Sequence, residues 1–384
     1  MSDERELLMI PGPTMVSPRV LRAMARPMLS HVSKEVVEAY KEALELTKKL
    51  FLTQGKLFIL CGSGTLGMEA AIANVVEPGD RVLCVENGFF GEKFKDIVTA
   101  HGGEAETLSF EWGTPVDPNQ VRKRLEQKDY KALTVEHVDT STGIANPIDK
   151  IGDIARNYHA LYIVDSVCGI GGMPLKVDEW NIDICLTGSQ KALEAPPGLT
   201  LFSFSDEAWK AVEQRKSPVR SYYADLKKWL PVMEDPGKYF ATPSVPLILA
   251  LREALRIVHE EGLEKRWRRH RITAEAVRRG VQSIGLGLFP AEGYRSNTLT
   301  VPQTPPTVSE QNIRKLMGEK YKIVIAGGLG KIAGKTFRIG HMGAVNANDV
   351  VSTLAALEMS LTELGYKLDP GTAVGEAEKT LVLL

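Results

Sequence analysis

Short apolar runs alternate with helical patterns from Leu57 to Phe204, and this alternation constrains the fold more than any other feature of the sequence. A repeated strand–helix order is typical of an α/β domain with a mostly parallel sheet. At 384 residues, the chain is long enough for more than one domain. The pattern predicts a large domain with seven strands at Leu57–Cys61, Arg81–Val85, Ala105–Leu108, Ala132–His137, Leu161–Val164, Ile182–Thr187 and Thr200–Phe204.

The pattern changes near residue 247, where a long helical stretch begins that Gly262 interrupts. After it come short strands near 298–301 and 323–326 and a final helix around 348–364. This order predicts a second, smaller α+β domain. Residues 9–14 are rich in turn formers, which favours an arm lying across a surface over a strand of the main sheet. The predicted parts are an N-terminal arm (1–20), a large domain (21–260) and a small C-terminal domain (261–384).

Composition and charge argue against binding to nucleic acid or membranes. The formal net charge is −1, with 43% hydrophobic and 25% charged residues, which is near the average for soluble proteins. The one dense basic run, Glu264–Arg271, has apolar positions at helical spacing around it, which predicts that its arginines face solvent. No apolar run approaches the length of a membrane span, and no secretory signal pattern opens the chain. We therefore expect neither a nucleic-acid nor a membrane partner.

The four cysteines show no CxxC spacing, and each lies in or beside an apolar run. Unpaired cysteine behaves mainly as a small apolar residue, so we interpret these side chains as buried, reduced thiols. That interpretation predicts a cytoplasmic protein. The cysteines are Cys61, Cys84, Cys168 and Cys185.

A lysine and an aspartate follow two of the predicted strands. Asp165 ends the run 161–164, and Lys191 lies among small residues just after the run 182–187. A partly desolvated lysine has a lowered pKa and can attack a carbonyl near neutral pH. The carboxyl ends of neighbouring parallel strands lie at the same edge of a sheet, so this pair predicts a binding site for pyridoxal phosphate. Asp165 would lie at the ring nitrogen and Lys191 at the aldehyde.

A glycine-rich turn, 61–67, lies between a predicted strand and a helical pattern. Free N–H groups and the positive dipole end of a helix there can hold a phosphate, although a βα turn without a ligand has the same sequence features. The spacing does not match a dinucleotide-binding fingerprint, which argues against NAD. The segment ending in Gly334-Lys335-Thr336 lacks the first glycine of an ATP-binding P-loop, because position 329 is leucine.

Arg338 lies in a strand-like run just after the glycine-rich segment 327–334. Its guanidinium presents a planar fork of donors that can grip a substrate carboxylate in a bidentate manner. From its position in the sequence alone, Arg338 could equally be an ordinary surface arginine.

Taken in order, these motifs resemble the class V aminotransferases, and most closely the alanine–glyoxylate and serine–pyruvate branch. The resemblance runs nearly end to end and implies fold type I of the pyridoxal-phosphate-dependent transferases. It rests on the segments Pro11–Thr14, Ser63–Thr65, Asn87–Gly91, Ser141–Gly143, Asp165–Val167, Ser189–Leu193, Ala195–Gly198, Tyr239–Pro243, Gly327–Gly330 and Phe337–Gly340.

The resemblance assigns the residues around the cofactor ring. Lys191 would form the Schiff base with the cofactor and then carry the proton between the substrate α-carbon and the cofactor, and Asp165 would keep the ring nitrogen protonated. Thr140 would contact the cofactor and Val167 would pack under its ring. Phe90 stands where close relatives often have tryptophan, and it can still stack on the ring.

The resemblance also assigns residues to the cofactor phosphate and to the substrate. Ser63, Gly64, Thr65 and Gln190 would bind the phosphate, although some relatives have histidine at position 65. Tyr239 and Thr242 would reach the phosphate from a partner subunit, which implies a homodimer with shared active sites. Arg338 would bind the substrate carboxylate.

The predicted function is a ping-pong transfer of an amino group from serine or alanine to a small 2-oxo acid, pyruvate or glyoxylate. A cysteine desulfurase or related lyase would need a nucleophilic cysteine downstream, whereas every cysteine precedes Lys191. A phosphoserine aminotransferase would need further basic residues for a second phosphate, and none can be assigned. A non-catalytic subunit that retains the fold is the remaining alternative.

Overall fold

The computed structural model describes residues 6–384, which form strands and helices with the following bounds. The strands are β1 Leu7–Leu8, β2 Lys56–Cys61, β3 Arg81–Glu86, β4 Glu104–Ser109, β5 Ala132–Glu136, β6 Val138–Asp139, β7 Ile144–Ala145, β8 Leu161–Asp165, β9 Ile184–Gly188, β10 Leu199–Phe204, β11 Leu299–Thr300, β12 Ile323–Val324, β13 Ala326–Gly327 and β14 Phe337–Gly340. The helices are α1 Pro18–Met24, α2 Lys34–Phe51, α3 Gly64–Val75, α4 Gly91–Ala100, α5 Pro118–Gln127, α6 Gly152–Asn157, α7 Asp206–Glu213, α8 Leu226–Glu234, α9 Val245–Glu261, α10 Leu263–Ser283, α11 Glu310–Tyr321, α12 Ala347–Glu363 and α13 Thr372–Leu381.

One seven-stranded sheet dominates the structure, in the order β2-β10-β9-β8-β5-β3-β4. β10 runs antiparallel to both of its neighbours, and all other adjacent strands are parallel. Each of the seven predicted runs overlaps one of these strands, so the expected α/β fold with a mostly parallel sheet is confirmed. Strands β5, β9 and β10 are buried throughout, which explains why their sequences are mostly apolar.

Two large hydrophobic cores lie in different parts of the chain. The first surrounds the seven-stranded sheet and draws on residues between Val20 and Val258. The second combines Met9 with residues from Ala276 to Leu381. β1 pairs in parallel with β12 and not with the main sheet. Residues 1–5 of the predicted arm lie outside the described part of the chain, and the domain limits 1–20, 21–260 and 261–384 stay a prediction.

Helix α13 follows Gly371 and packs against α10 and α12, and its sequence shows only a weak helical pattern. Its buried side chains are mostly small, with Ala373 and Ala377 one turn apart and fully covered. Because alanine is only weakly hydrophobic, the apolar stripe of this helix is hard to recognise in the sequence, even though it is buried in the structure.

Within residues 6–384, no helix has both the length and the apolar character needed to cross a membrane. The four cysteines are free thiols; Cys61 is half-buried and the other three are buried. Cytoplasmic location stays a prediction.

Candidate active site

Nine of the twelve residues predicted for the site line one cavity of about 310 Å³. It lies at the carboxyl ends of strands β5, β8 and β9, where parallel α/β sheets commonly bind ligands. Larger cavities exist, one of about 710 Å³ between α10 and α13, but no predicted site residue lines them. The nine are Ser63, Gly64, Thr65, Phe90, Thr140, Asp165, Val167, Gln190 and Lys191, and the other lining residues are Gly12, Pro13, Met68, Glu136, Val138, Cys168 and Pro197.

Lys191 follows β9 and is held from the N-terminal segment. Its Nζ donates a hydrogen bond to the Pro11 carbonyl, and the Thr14 hydroxyl donates to the Lys191 carbonyl at 2.9 Å. A Cβ at Gly12 would lie 2.6 Å from the Lys191 side chain, and Gly12 has a φ of +123°, so only glycine fits there. Burial lowers the pKa of Lys191, which increases the fraction of the nucleophilic neutral amine.

Asp165 is the last residue of β8, and its side chain is buried. One carboxylate oxygen accepts a hydrogen bond from the Val167 N–H at 2.7 Å, and the side chain lines the cavity. Burial raises the pKa of Asp165, and the Val167 N–H acts in the opposite direction. A cation placed against this carboxylate would offset the desolvation, because an opposite charge nearby favours the ionised form.

The N-terminus of α3 opens into the same cavity. Ser63 occupies the N-cap position with extended backbone, and its side chain makes no capping hydrogen bond. The first N–H groups of a helix have no partner within the helix, so this 12-residue helix presents free donors and the positive end of its dipole. The Gln190 side chain lines the same cavity, and its Nε2 group is a further hydrogen-bond donor. Together these groups form a polar end of the cavity suited to an anion.

Phe90 is positioned by Asp139, a residue that the sequence did not single out. The buried Asp139 carboxylate accepts hydrogen bonds from the Phe90 N–H at 2.9 Å and the Gly91 N–H at 3.3 Å. It also accepts from the N–H of Ser141 at 2.8 Å and from its hydroxyl at 2.5 Å. Four donors on one carboxylate fix the aromatic ring at the cavity wall. The available signal was an acidic residue two positions after the predicted strand 132–137, at the start of the turn 139–143.

Three predicted residues lie outside the cavity lining. Arg338, on β14, donates from Nε to the Gly327 carbonyl at 2.8 Å and from Nη1 to the Thr140 carbonyl at 3.3 Å. This second contact brings the guanidinium next to the cavity. The Tyr239 hydroxyl lies 3.2 Å from the Thr242 hydroxyl, and the Tyr239 side chain is 61% exposed. A single chain therefore does not bring these two hydroxyls into its own cavity.

The family model for class-V aminotransferases matches residues 8–350, nearly nine-tenths of the chain. The chain belongs to this family. The resemblance seen in the sequence motifs is thereby confirmed, and the protein is an enzyme of the pyridoxal-phosphate-dependent transaminase type.

This class V aminotransferase is similar to proteins that carry several names. It is 44% identical to an uncharacterized aminotransferase of Methanocaldococcus jannaschii, over 95% of this chain and 94% of that protein. It is 37% identical to a soluble hydrogenase small subunit of a Synechococcus strain, over 98% of this chain and 99% of that protein. It is 36% identical to a serine–glyoxylate aminotransferase of Methylorubrum extorquens, over 98% of this chain and 96% of that protein. Among solved structures, the ureidoglycine–glyoxylate aminotransferase of Bacillus subtilis matches with a TM-score of 0.94 and 32% identity, over 99% of each chain.

The aminotransferase also contains a buried arginine that holds the segments beside its site. The expectation that the arginines of 264–271 all face solvent is wrong for Arg266, which is 1% exposed. It donates to the Gly171 carbonyl at 3.0 Å and the Ala192 carbonyl at 2.6 Å, and it forms ion pairs with Glu194 and Glu261. The apolar residues alone indicated which face of α10 is buried, whereas that face also carries polar side chains that are paired with other residues. Arg266 thus ties the residue after Lys191 to the loop that follows β8.

Proposed function

We propose that this enzyme is a pyridoxal-phosphate-dependent aminotransferase that moves the amino group of serine or alanine to a small 2-oxo acid, pyruvate or glyoxylate. One observation carries the proposal: a single cavity joins a lysine amine, a buried carboxylate and the open N-terminus of a helix. The names of the Methylorubrum and Bacillus relatives, both glyoxylate transaminases, support this substrate class.

The residues of the cavity fit pyridoxal phosphate on three independent points. The phosphate matches the free N–H groups of Gly64 and Thr65 and the side-chain N–H donors of Gln190. The ring nitrogen matches the Asp165 carboxylate. Phe90 and Val167 both line the cavity and offer apolar surface to the flat ring. A Cβ on Gly64 would lie 2.6 Å from a Val167 methyl group. Glycine is needed at position 64 because the backbone approaches this wall so closely.

When bound, the cofactor supplies an aldehyde that takes up amino groups and a protonated ring that withdraws electrons from the α-carbon. Lys191 Nζ would hold the cofactor through its aldehyde carbon until a substrate amine takes that place. The Lys191 amine would then be free to accept the α-proton of the substrate and to donate a proton on the cofactor side. Asp165 would keep the ring nitrogen protonated. The amino group stays on the enzyme between donor and acceptor, which gives two half-reactions.

Arg338 is proposed to bind the α-carboxylate that serine, alanine, pyruvate and glyoxylate have in common. Its Nε and Nη1 atoms are held by the carbonyls of Gly327 and Thr140, which fixes the plane of the guanidinium beside the cavity. A planar fork in a fixed orientation suits a carboxylate better than a flexible ammonium does.

We expect Arg338→Lys to lower kcat/KM for alanine about tenfold or more, mainly through a higher KM, because a charge-assisted hydrogen bond is lost. The measurement is a panel of amino donors against pyruvate and glyoxylate. Ethylamine, which lacks the carboxylate of alanine, is the control substrate, and its slow turnover should not change in the variant. Unchanged kinetics with alanine would remove Arg338 from the substrate site, and a panel in which no small amino acid is turned over would refute the proposed reaction.

We further propose a homodimer in which Tyr239 and Thr242 complete the phosphate site of the partner subunit. Large apolar side chains are exposed around Tyr239 in the single chain. Tyr222 is 75% exposed and Met28 is 72% exposed. The ring of His31 lies 5.2 Å from that of Tyr239, which joins the segment containing Met28 to this surface. Several large apolar side chains exposed in this part of the chain are typical of a protein–protein interface.

Mixed dimers test the sharing of sites. If sites are shared, a dimer of one Tyr239→Ala and one Lys191→Ala subunit has one site with both defects and one with neither. Random mixing should then recover up to about a quarter of wild-type activity, since half the dimers are mixed and half their sites are intact. Mixing Lys191→Ala with Asp165→Asn is the matched control, because both residues serve the same chain's cavity and no recovery is expected. Activity no greater than the sum of the parents would contradict sharing.

The alternatives from the sequence make different predictions for the same protein. A lyase would depend on a cysteine in the cavity, where Cys168 is 2% exposed and lies 3.7 Å from the Thr298 hydroxyl. A Cys168→Ala variant should keep transaminase activity if the proposal holds. A non-catalytic subunit would take up no cofactor and would stay colourless after incubation with pyridoxal phosphate.

A further inference from the structure

Glu136 is a buried carboxyl group that none of the assigned roles uses. It is the last residue of β5, its side chain lines the cavity, and it is 4% exposed. Its Oε1 atom has no hydrogen-bond partner within residues 6–384. Burying an unpartnered polar group is costly, so a side chain of this kind calls for a ligand or a neighbour that the site brings to it.

Glu136 lies directly beside Asp165. The two residues are register partners in the parallel pair β5 and β8, so their side chains leave the same face of the sheet at its carboxyl edge. Four ionisable groups act on the charge of Glu136: Asp165 on β8, Asp139 on β6, Cys168 after β8 and Lys93 on α4. Asp139 already accepts four hydrogen bonds and is committed to the turns that hold Phe90. Lys93 has no acceptor and a thiol is a weak one, so the register partner Asp165 is the acceptor left for a Glu136 carboxyl proton.

We propose that Glu136 shares a proton with Asp165 and thereby sets the charge that Asp165 presents to the cofactor ring nitrogen. This inference rests on the proposed function, because it concerns the same cofactor. The Glu136 carboxyl keeps the proton and donates it in a hydrogen bond to Asp165, which stays ionised and pairs with the protonated ring nitrogen. No bond other than this hydrogen bond forms, and no proton leaves the pair. Glu136 is thus a positioning residue that acts through Asp165.

Electrostatics supports this division of roles. Burial and then the adjacent Asp165 charge raise the pKa of Glu136 well above its ordinary value. Two neighbouring buried carboxyls cannot both ionise without a large penalty, so one of them retains a proton. Asp165 receives the Val167 N–H and is the better acceptor of the two. Glu136 is left as the donor.

The test compares cofactor binding by three variants of the full chain. Glu136→Leu removes the donor, and Glu136→Gln keeps a neutral N–H donor of similar shape. Glu86→Gln is the matched control: Glu86 ends the adjacent strand β3, and its carboxylate accepts from the Ser109 hydroxyl at 2.7 Å instead of lining the cavity. Apoprotein is titrated with pyridoxal phosphate and with an analogue that has carbon in place of the ring nitrogen, and visible absorbance or protein fluorescence gives Kd.

We expect Glu136→Leu to weaken binding of pyridoxal phosphate about tenfold, while Glu136→Gln stays within about threefold and Glu86→Gln is unchanged. With the carbon analogue, the Glu136→Leu effect should disappear, because Glu136 acts only through the nitrogen–Asp165 pair. Equal losses for both ligands, or no loss for either, would overturn the inference. Failure of the wild-type protein to bind pyridoxal phosphate at all would instead refute the proposed function.

A second measurement covers the case in which Glu136→Leu does not fold. A carboxyl with a raised folded-state pKa destabilises the fold increasingly as pH rises above its unfolded-state value, since the unfolded chain releases the proton first. Between about pH 5 and about pH 8, the Tm of wild-type apoprotein should therefore fall more than that of Glu136→Gln. Parallel Tm curves for the two proteins would contradict a proton held on Glu136.

Discussion

Lys191→Ala is expected to lower kcat at least about a thousandfold, because the variant loses both the covalent attachment of the cofactor and the proton carrier at the α-carbon. Among residues 6–384, Lys191 is the single lysine that lines the cavity, so none of them offers a substitute amine there. Steady-state transamination of alanine with glyoxylate measures the loss. The visible absorbance of lysine-bound cofactor should be abolished in the same preparation.

Lys93→Ala is the control for this prediction. Lys93 is the lysine whose Nζ lies 4.6 Å from the centre of the Phe90 ring, but it does not line the cavity. That variant should keep the lysine-bound absorbance. If Lys93→Ala lost the absorbance and Lys191→Ala kept it, the assignment of the reactive lysine would be wrong.

Asp165→Asn is expected to lower kcat at least about a hundredfold with little change in folding, because a neutral amide cannot stabilise a protonated ring nitrogen. The loss should appear in kcat more than in KM, since the charge matters most while the α-carbon carries negative charge. Stopped-flow measurement of each half-reaction separates this effect from substrate binding.

Asp183→Asn provides a matched buried aspartate away from the cavity. The Asp183 carboxylate accepts from the Tyr162 N–H at 2.9 Å and from the Ser205 hydroxyl at 2.7 Å. We expect this variant to lower Tm while kcat per folded enzyme stays near the wild-type value. A similar kcat loss in both variants would mean that Asp165 serves the structure and not the chemistry.

The strand-end residues were predictable from the sequence for a topological reason. Asp165 and Lys191 follow apolar runs, and parallel strands present their carboxyl ends at one edge of the sheet, so residues distant in sequence had to meet there. The turn before α3 was predictable because glycines and an N-cap serine mark a helix start at which donors are free.

The residues that the sequence did not reveal are buried polar groups with distant partners. Arg266 contacts Ala192 across more than seventy positions, and it lies in a basic run in which Arg268 and Arg271 are exposed. Glu136 is the last residue of β5 and Asp139 is the last residue of β6. The predicted strand 132–137 was identified from its apolar residues alone, so neither carboxylate was singled out. Gly12 lies against the Lys191 side chain because the fold brings the N-terminal segment to the cavity. A contact between residues so distant in sequence cannot be predicted from a local sequence pattern.

The lysine that binds the cofactor can be identified by borohydride reduction of the protein after incubation with pyridoxal phosphate, followed by proteolysis and mass spectrometry. Reduction fixes the cofactor to whichever lysine it has bound. We expect one major modified peptide, with the added mass on Lys191. An unmodified protein, or a cofactor fixed to another lysine such as Lys93, would contradict it.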